Sequence, residues 1–186
     1  MNQTSHIRAG LLPAVLTTLL ILMVTASAAG QGGPTAALHP LTADGQIVLS
    51  PSDRCPVCAM FPARRPEAAA ALTLESGETV YFCSNGCLLR SWLRPGVYLG
   101  RDRQTIDRVV VQDYFSGQCV DGRSATWVAG SDVMGPMGPA IVTLGNTDHL
   151  TVFQKRHGSQ RVFTLNDVDD ALWQTISQRQ LPATTD

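Results

Sequence analysis

Four of the five cysteines in this 186-residue chain fall into two close pairs, Cys55-Pro-Val-Cys58-Ala-Met60 and Phe82-Cys83-Ser-Asn-Gly-Cys87. Two such pairs constrain a fold more tightly than an apolar pattern does, because each ties a loop to a sulfur-rich point. A two-residue spacer lets Cys55 and Cys58 turn both sulfurs toward one ion, and it is shared by zinc half-sites and dithiol redox motifs. The redox motif calls for a long following helix, whereas Met60-Phe61-Pro62-Ala63-Arg64-Arg65-Pro66 places two prolines there. Cys83 and Cys87 lie at the mouth of a helix expected from about Asn85, where free N–H groups favour thiolate. Together the pairs form a candidate four-thiolate site for a soft metal. A zinc knuckle and disulfides within or between the pairs stay open as alternatives.

The amino terminus bears on those alternatives. Arg8, the apolar run 11–24 and Ala26-Ser27-Ala28 have the order of a signal peptide over residues 1–28, cut before Ala29. Pro13, Thr17 and Thr18 interrupt the run, which is shorter than the roughly 18 apolar residues a span needs, so an uncleaved anchor is the alternative. No cysteine lies near the cut to accept a lipid. Cleavage leaves about 158 residues, enough for one domain or two small units sharing a core. The expected location is the periplasm, an oxidising compartment, where an odd cysteine count implies either an unpaired thiol or a metal that keeps thiolates reduced. The formal charge is −1 with no basic run, which excludes the electrostatic footprint of a nucleic-acid binder.

Residues 29–49 are rich in Gly, Pro, Ala and Thr without a period, and read as a flexible linker. The run 68–74, a turn at Ser76-Gly77 and the run 79–82 predict a hairpin. Ser84 or Asn85 then caps a helix carrying Cys87, Leu88, Trp92 and Leu93, stopped by Pro95-Gly96, and 108–112 follows as a strand. The second half repeats the order. Strands are predicted at 124–128 and 140–144, a helix follows Thr147 or Asp148 and ends at Gly158, and another strand covers 161–165. Asn166 or Asp167 is expected to cap a last helix with Val168, Leu172 and Ile176 on one face. The expectation is an α+β fold of two small ββαβ units, 50–120 with the cysteine pairs and 121–186 with the C-terminal helix.

Methionines narrow the metal. Met60 directly follows the first pair, and Met134-Gly-Pro-Met137-Gly carries two thioethers in a Gly/Pro loop. Thioether is a poor zinc ligand and a good one for Cu(I), which favours soft sulfur in low coordination number. The candidate ligands are Cys55, Cys58, Met60, Cys83, Cys87, Met134 and Met137. Cys119 reads as a turn residue, a free thiol or disulfide partner. His149 and His157 are too far apart on one helix for a shared ion, His39 lies in the linker, and no Ser-His-Asp or paired-carboxylate grouping can be assembled, so no enzyme is expected.

Cys55-Pro-Val-Cys58-Ala-Met60, the segment 81–92, Val111-Gln-Asp-Tyr114, Ala125-Thr-Trp-Val-Ala-Gly-Ser131, Pro136-Met137-Gly138 and the strand after His157-Gly158 resemble the NosL family of nitrous-oxide-reductase copper accessory proteins. The resemblance covers about residues 50–167. It implies two ββαβ units related to part of organomercurial lyase, and an exported Cu(I) chaperone that delivers copper toward nitrous oxide reductase or another cuproenzyme. Carried over by position, it supports Cys55, Cys58, Met60 and Met137. Cys83, Cys87 and Met134 rest on their own chemistry, and Phe82-Cys83-Ser-Asn-Gly-Cys87 also resembles the Phe-Cys-Ser-x-x-Cys of TRASH-type metal modules. Ala59 stands where the family commonly has glycine. The implied partner is a copper-receiving cuproenzyme or its maturation complex, the implied state a monomer, and peripheral membrane contact stays open.

Overall fold

The run 68–74 is apolar without alternation, the pattern of a strand buried on both faces. The computed structural model, which describes residues 39–177, bears this out. Strand β1 (Ala70–Leu74) pairs antiparallel with β2 (Thr79–Phe82) through the turn at Ser76-Gly77. On its other side β1 pairs with β3 (Ile106–Gln112), and β3 with β4 (Cys119–Asp121), giving the sheet order β2-β1-β3-β4. Alternate residues serve alternate faces. Ala70, Leu72, Val80, Phe82, Val109 and Val111 point into the main core, whereas Ala71, Tyr81 and Val110 face the opposite side against Leu41, Ile47 and Leu49.

That second cover corrects the expected linker within its described part. From His39 onward the segment is anchored: His39 Nε2 lies 3.0 Å from the buried Asp53 carboxylate, its ring stacks on Tyr81, and the Tyr81 hydroxyl donates to the His39 and Pro40 carbonyls. Leu41, Ile47 and Leu49 alternate at strand-like spacing too loose to signal from sequence, yet they cover the apolar outer face of β1–β3. The predicted leader and the remainder of the linker lie outside the described residues. Among the described residues no helix is long and apolar enough to cross a membrane.

Helix α1 (Asn85–Leu93) follows β2 directly, capped by Ser84, whose hydroxyl accepts from the Cys87 N–H. Its Leu88, Leu89, Trp92 and Leu93 bury against the sheet. A four-residue helix α2 (Pro95–Tyr98) continues past the expected stop, because proline at the first helical position loses no hydrogen bond. Strand β4 replaces the turn expected around Cys119 and sets Cys119, Val120 and Asp121 opposite Gln112, Val111 and Val110 of β3.

The second unit has β5 (Thr126–Ala129) between β8 (Val142–Leu144) and β9 (Arg161–Phe163), with a two-residue hairpin β6 (Met134–Gly135) and β7 (Gly138–Pro139) inserted. The order β8-β5-β9 repeats β2-β1-β3: first strand central, second on one side, third after the helix on the other. Trp127 and Ala129 of β5 join the main core, while Val128 turns to Val142, Leu144 and Phe153 of α3 (His149–His157). Gly158, with φ 69°, closes α3. The last helix, α4 (Asp170–Ser177), begins later than expected: a 3-10 turn occupies Leu165–Asp167, and Asp169 accepts the Leu172 N–H. Val168 is therefore a core residue outside the helix, and Trp173 is the buried side chain of α4.

Candidate metal centre

The first pair sits in a knuckle. The Ala59 N–H donates to the Cys55 carbonyl at 2.8 Å and the Cys55 N–H to the Met60 carbonyl at 2.9 Å, which reverses the chain and points both thiols inward. The reversal needs a left-handed residue, and Ala59 supplies it with φ 59°, the one non-glycine residue with positive φ among those described. Arg54 braces the turn through the Ala59 carbonyl. The second pair is set by the β2–α1 junction: Cys83 ends the strand connection, and Cys87 lies in the first turn of α1.

These two supports bring Cys55, Cys58, Cys83 and Cys87 together with all four Sγ atoms within 4.8 Å of one another. Cys58 lies 3.3 Å from Cys83 and 3.8 Å from Cys87, and Cys83 lies 3.7 Å from Cys87. Four sulfurs at about 2.3 Å from a shared ion are about 3.8 Å apart, so the cluster is close to metal-binding dimensions. Cys55, Cys83 and Cys87 are buried, and Cys58 is partly open. All five cysteines are free thiols.

The second unit contributes one more sulfur. Met137, at the tip of the β6–β7 hairpin, places Sδ 3.5 Å from Cys87 Sγ and 4.0 Å from Cys83 Sγ. The hairpin is held over α1 by Asn85, whose side-chain amide donates to the Ile141 carbonyl at 2.9 Å. Asn85 was expected only as an alternative cap; Ser84 caps, which frees Asn85 to bind the two units across the site.

Sulfurs this close share protons. Cys58 is held well below the usual thiol range, chiefly by its hydrogen bond with Cys55 and then by those with Cys83 and Cys87. Cys83 and Cys87 are pushed above it, first by Cys55 and then by Cys58, with burial adding to the effect. Crowded thiolates repel, so the full set loses its protons only when a cation arrives to hold them.

The remaining candidates lie elsewhere. Met60 and Met134 expose 37% and 63% of their surface; Met60 meets the cluster through its backbone, which bonds Cys55 and Cys58. Cys119 packs with Tyr81 and Val110 on the outer face of the first sheet. His157 bonds Asp132 at 2.8 Å and the Tyr114 hydroxyl at 3.1 Å, and His149 lies edge-on to Phe115.

The NosL family model matches residues 46–173, more than half of the chain. The chain belongs to the NosL family. A curated relative, the copper-binding lipoprotein NosL of Stutzerimonas stutzeri, is 27% identical over 141 residues, covering 72% of this chain and 71% of the relative. The crystal structure of the copper chaperone NosL from Shewanella denitrificans superposes with a TM-score of 0.55 at 20% identity, covering 67% of this chain and 96% of that one. The likeness shows that the paired ββαβ arrangement is the NosL fold.

Proposed function

We propose that the protein is an exported Cu(I) carrier whose cargo is held by ligands drawn from Cys55, Cys58, Cys83, Cys87 and Met137 and passed by ligand exchange to a periplasmic cuproenzyme such as nitrous oxide reductase. The observation that carries this reading is Met137 Sδ at 3.5 Å from Cys87 Sγ. A fifth sulfur, and a thioether, has no purpose in a closed zinc site but suits Cu(I). The names of the two relatives, copper-binding lipoprotein and copper chaperone, support it. A neutral thioether is also the easiest ligand to displace, so Met137 is the natural point at which an incoming ligand enters. Exposed Met60 and Met134 then serve as outer, transient ligands during transfer.

A specific observation also favours a second reading, zinc, because Cys58, Cys83 and Cys87 at 3.3–3.8 Å from one another, with Cys55 within 4.8 Å, match a tetrahedral zinc thiolate site. The two separate in an anaerobic competition titration of the reduced protein against chromophoric Cu(I) and Zn(II) chelators. The copper reading expects tight Cu(I) uptake that is lost in Cys58→Ser/Cys87→Ser, with Cu(I) affinity lowered about tenfold in Met137→Leu and zinc affinity unchanged in that variant. Cu(I) uptake indifferent to both changes would end it, and tight zinc retention through purification from the periplasm would favour the second.

A further inference from the structure

Among the described residues, besides Ser91 Oγ, three buried side-chain atoms have no hydrogen-bond partner: Arg90 Nε, Ser131 Oγ and Trp173 Nε1. All three residues line one cleft of about 570 Å³ between α1, the β6–β7 hairpin and α4, and the same cleft is lined by Cys87, Met134 and Met137. Its volume lies in the range of small-molecule sites, roughly 300–1,000 Å³, where a few convergent polar groups in an apolar wall fix a ligand's orientation. An unmet buried donor is costly, so three of them on one cavity point to an acceptor that belongs there.

The chemistry of that acceptor follows from the donors. Arg90 Nε and Trp173 Nε1 can only donate, and Ser131 can do so. The Arg90 guanidinium reaches the neutral Tyr98 hydroxyl at 2.7 Å, but no carboxylate pairs with it among the described residues. The other charged groups around the cleft are satisfied: Arg65 pairs with Glu67, and Asp113 accepts from Gly145 and Ser116. The cleft therefore offers one uncompensated cation and two further donors, the complement of a carboxylate. Arg90 follows Cys87 by three positions in α1, so both project from one helix face, and an anion on Arg90 lies one turn from the sulfur cluster.

We propose that this cleft binds a small carboxylate that also carries a soft sulfur. Its carboxylate is received by Arg90, Ser131 and Trp173, and its sulfur is directed to the Cys87 and Met137 wall, where it exchanges with Met137 as copper enters or leaves. The sulfur half of the proposal rests on the copper reading; the carboxylate half does not.

The test uses 15N-labelled protein, metal-free and Cu(I)-loaded, titrated with N-acetylmethionine, its carboxamide and hexanoate. The chain has three tryptophans, so the indole region holds few resonances and the Trp173 N–H is assigned by Trp173→Phe. In the metal-free protein both acids should move the Trp173 resonance saturably, the carboxamide should bind about tenfold more weakly or worse, and Arg90→Gln should erase that difference. Equal binding of acid and amide, or no shift at Trp173, overturns the carboxylate site; a bound water alone gives that result. In the loaded protein N-acetylmethionine should bind more tightly than hexanoate, and equal binding overturns the sulfur half. Carboxylate binding to metal-free protein that fails to take up Cu(I) would retain the site while removing the copper reading.

Discussion

Ala59 shows how one residue sets the geometry of a site to which it supplies no ligand atom. Its φ of 59° places an L-residue in the left-handed region, at about 1–2 kcal/mol, so that Cys55 and Cys58 can face the same point. Glycine avoids that cost but loses more chain entropy on folding, about 0.5–1 kcal/mol. Ala59→Gly should therefore stabilise the protein by about 0.5–1 kcal/mol, read as a higher urea midpoint with an unchanged slope. An unchanged or lower midpoint would show that the knuckle is not strained. At the same scale Met137 contributes by its sulfur rather than its volume. Leucine preserves the packing, so Met137→Leu should keep the melting temperature within a few degrees while weakening Cu(I) retention against a chelator.

Among elements, the junction between the two sheets decides whether Met137 meets the cysteines at all. Asp113 ends β3, accepts from Gly145 N–H at 2.8 Å and from the Ser116 N–H and hydroxyl, and pairs with Thr143 of β8 in a parallel bridge. Burial raises its pKa, but these donors outweigh it and hold the carboxyl below the usual carboxylate range. A depressed carboxyl stabilises the fold fully above its unfolded value, near about 3.9, and that contribution is lost as pH falls through the folded value. Wild type should thus lose stability more steeply than Asp113→Asn as pH falls below about 4, measured by denaturant unfolding across the acid range. At neutral pH Asp113→Ala should cost about 2 kcal/mol, since it orphans the Gly145 and Ser116 donors. The partner loop that makes Asp113 a joint lies some thirty residues on, at Thr143 and Gly145, where no local pattern around Asp113 points to it.

For the whole molecule, the sulfur cluster lies inside the core shared by both units, with four sulfurs from the first and one from the second. A metal held there couples the units, and binding to the native state alone adds about 2.7 kcal/mol at a free concentration one hundred times Kd. For a domain of this size that corresponds to a melting rise of about 5–10 °C on Cu(I) loading. Anaerobic calorimetry should show the rise in wild type and its absence in Cys58→Ser/Cys87→Ser; an equal rise in both would place the metal elsewhere.

The cysteine pairs, the hairpin, the caps and the doubled strand-strand-helix-strand order are legible in the sequence because each depends on residues a few positions apart: alternation in 79–82, helical spacing from Cys87 to Leu93, glycine at position 158. That the two pairs meet at one point was not legible, because the knuckle and the β2–α1 junction are brought together only by the fold. Nor was which methionine joins them. Met134 and Met137 share one loop and one chemistry, and only the two-residue β6–β7 turn, held to α1 by Asn85, buries one sulfur against Cys87 and leaves the other exposed. The packing of 39–49 against the outer face and the gathering of Arg90, Ser131 and Trp173 around one cleft are likewise products of tertiary contact. They join residues far apart in the chain, and no local pattern records where such residues will meet.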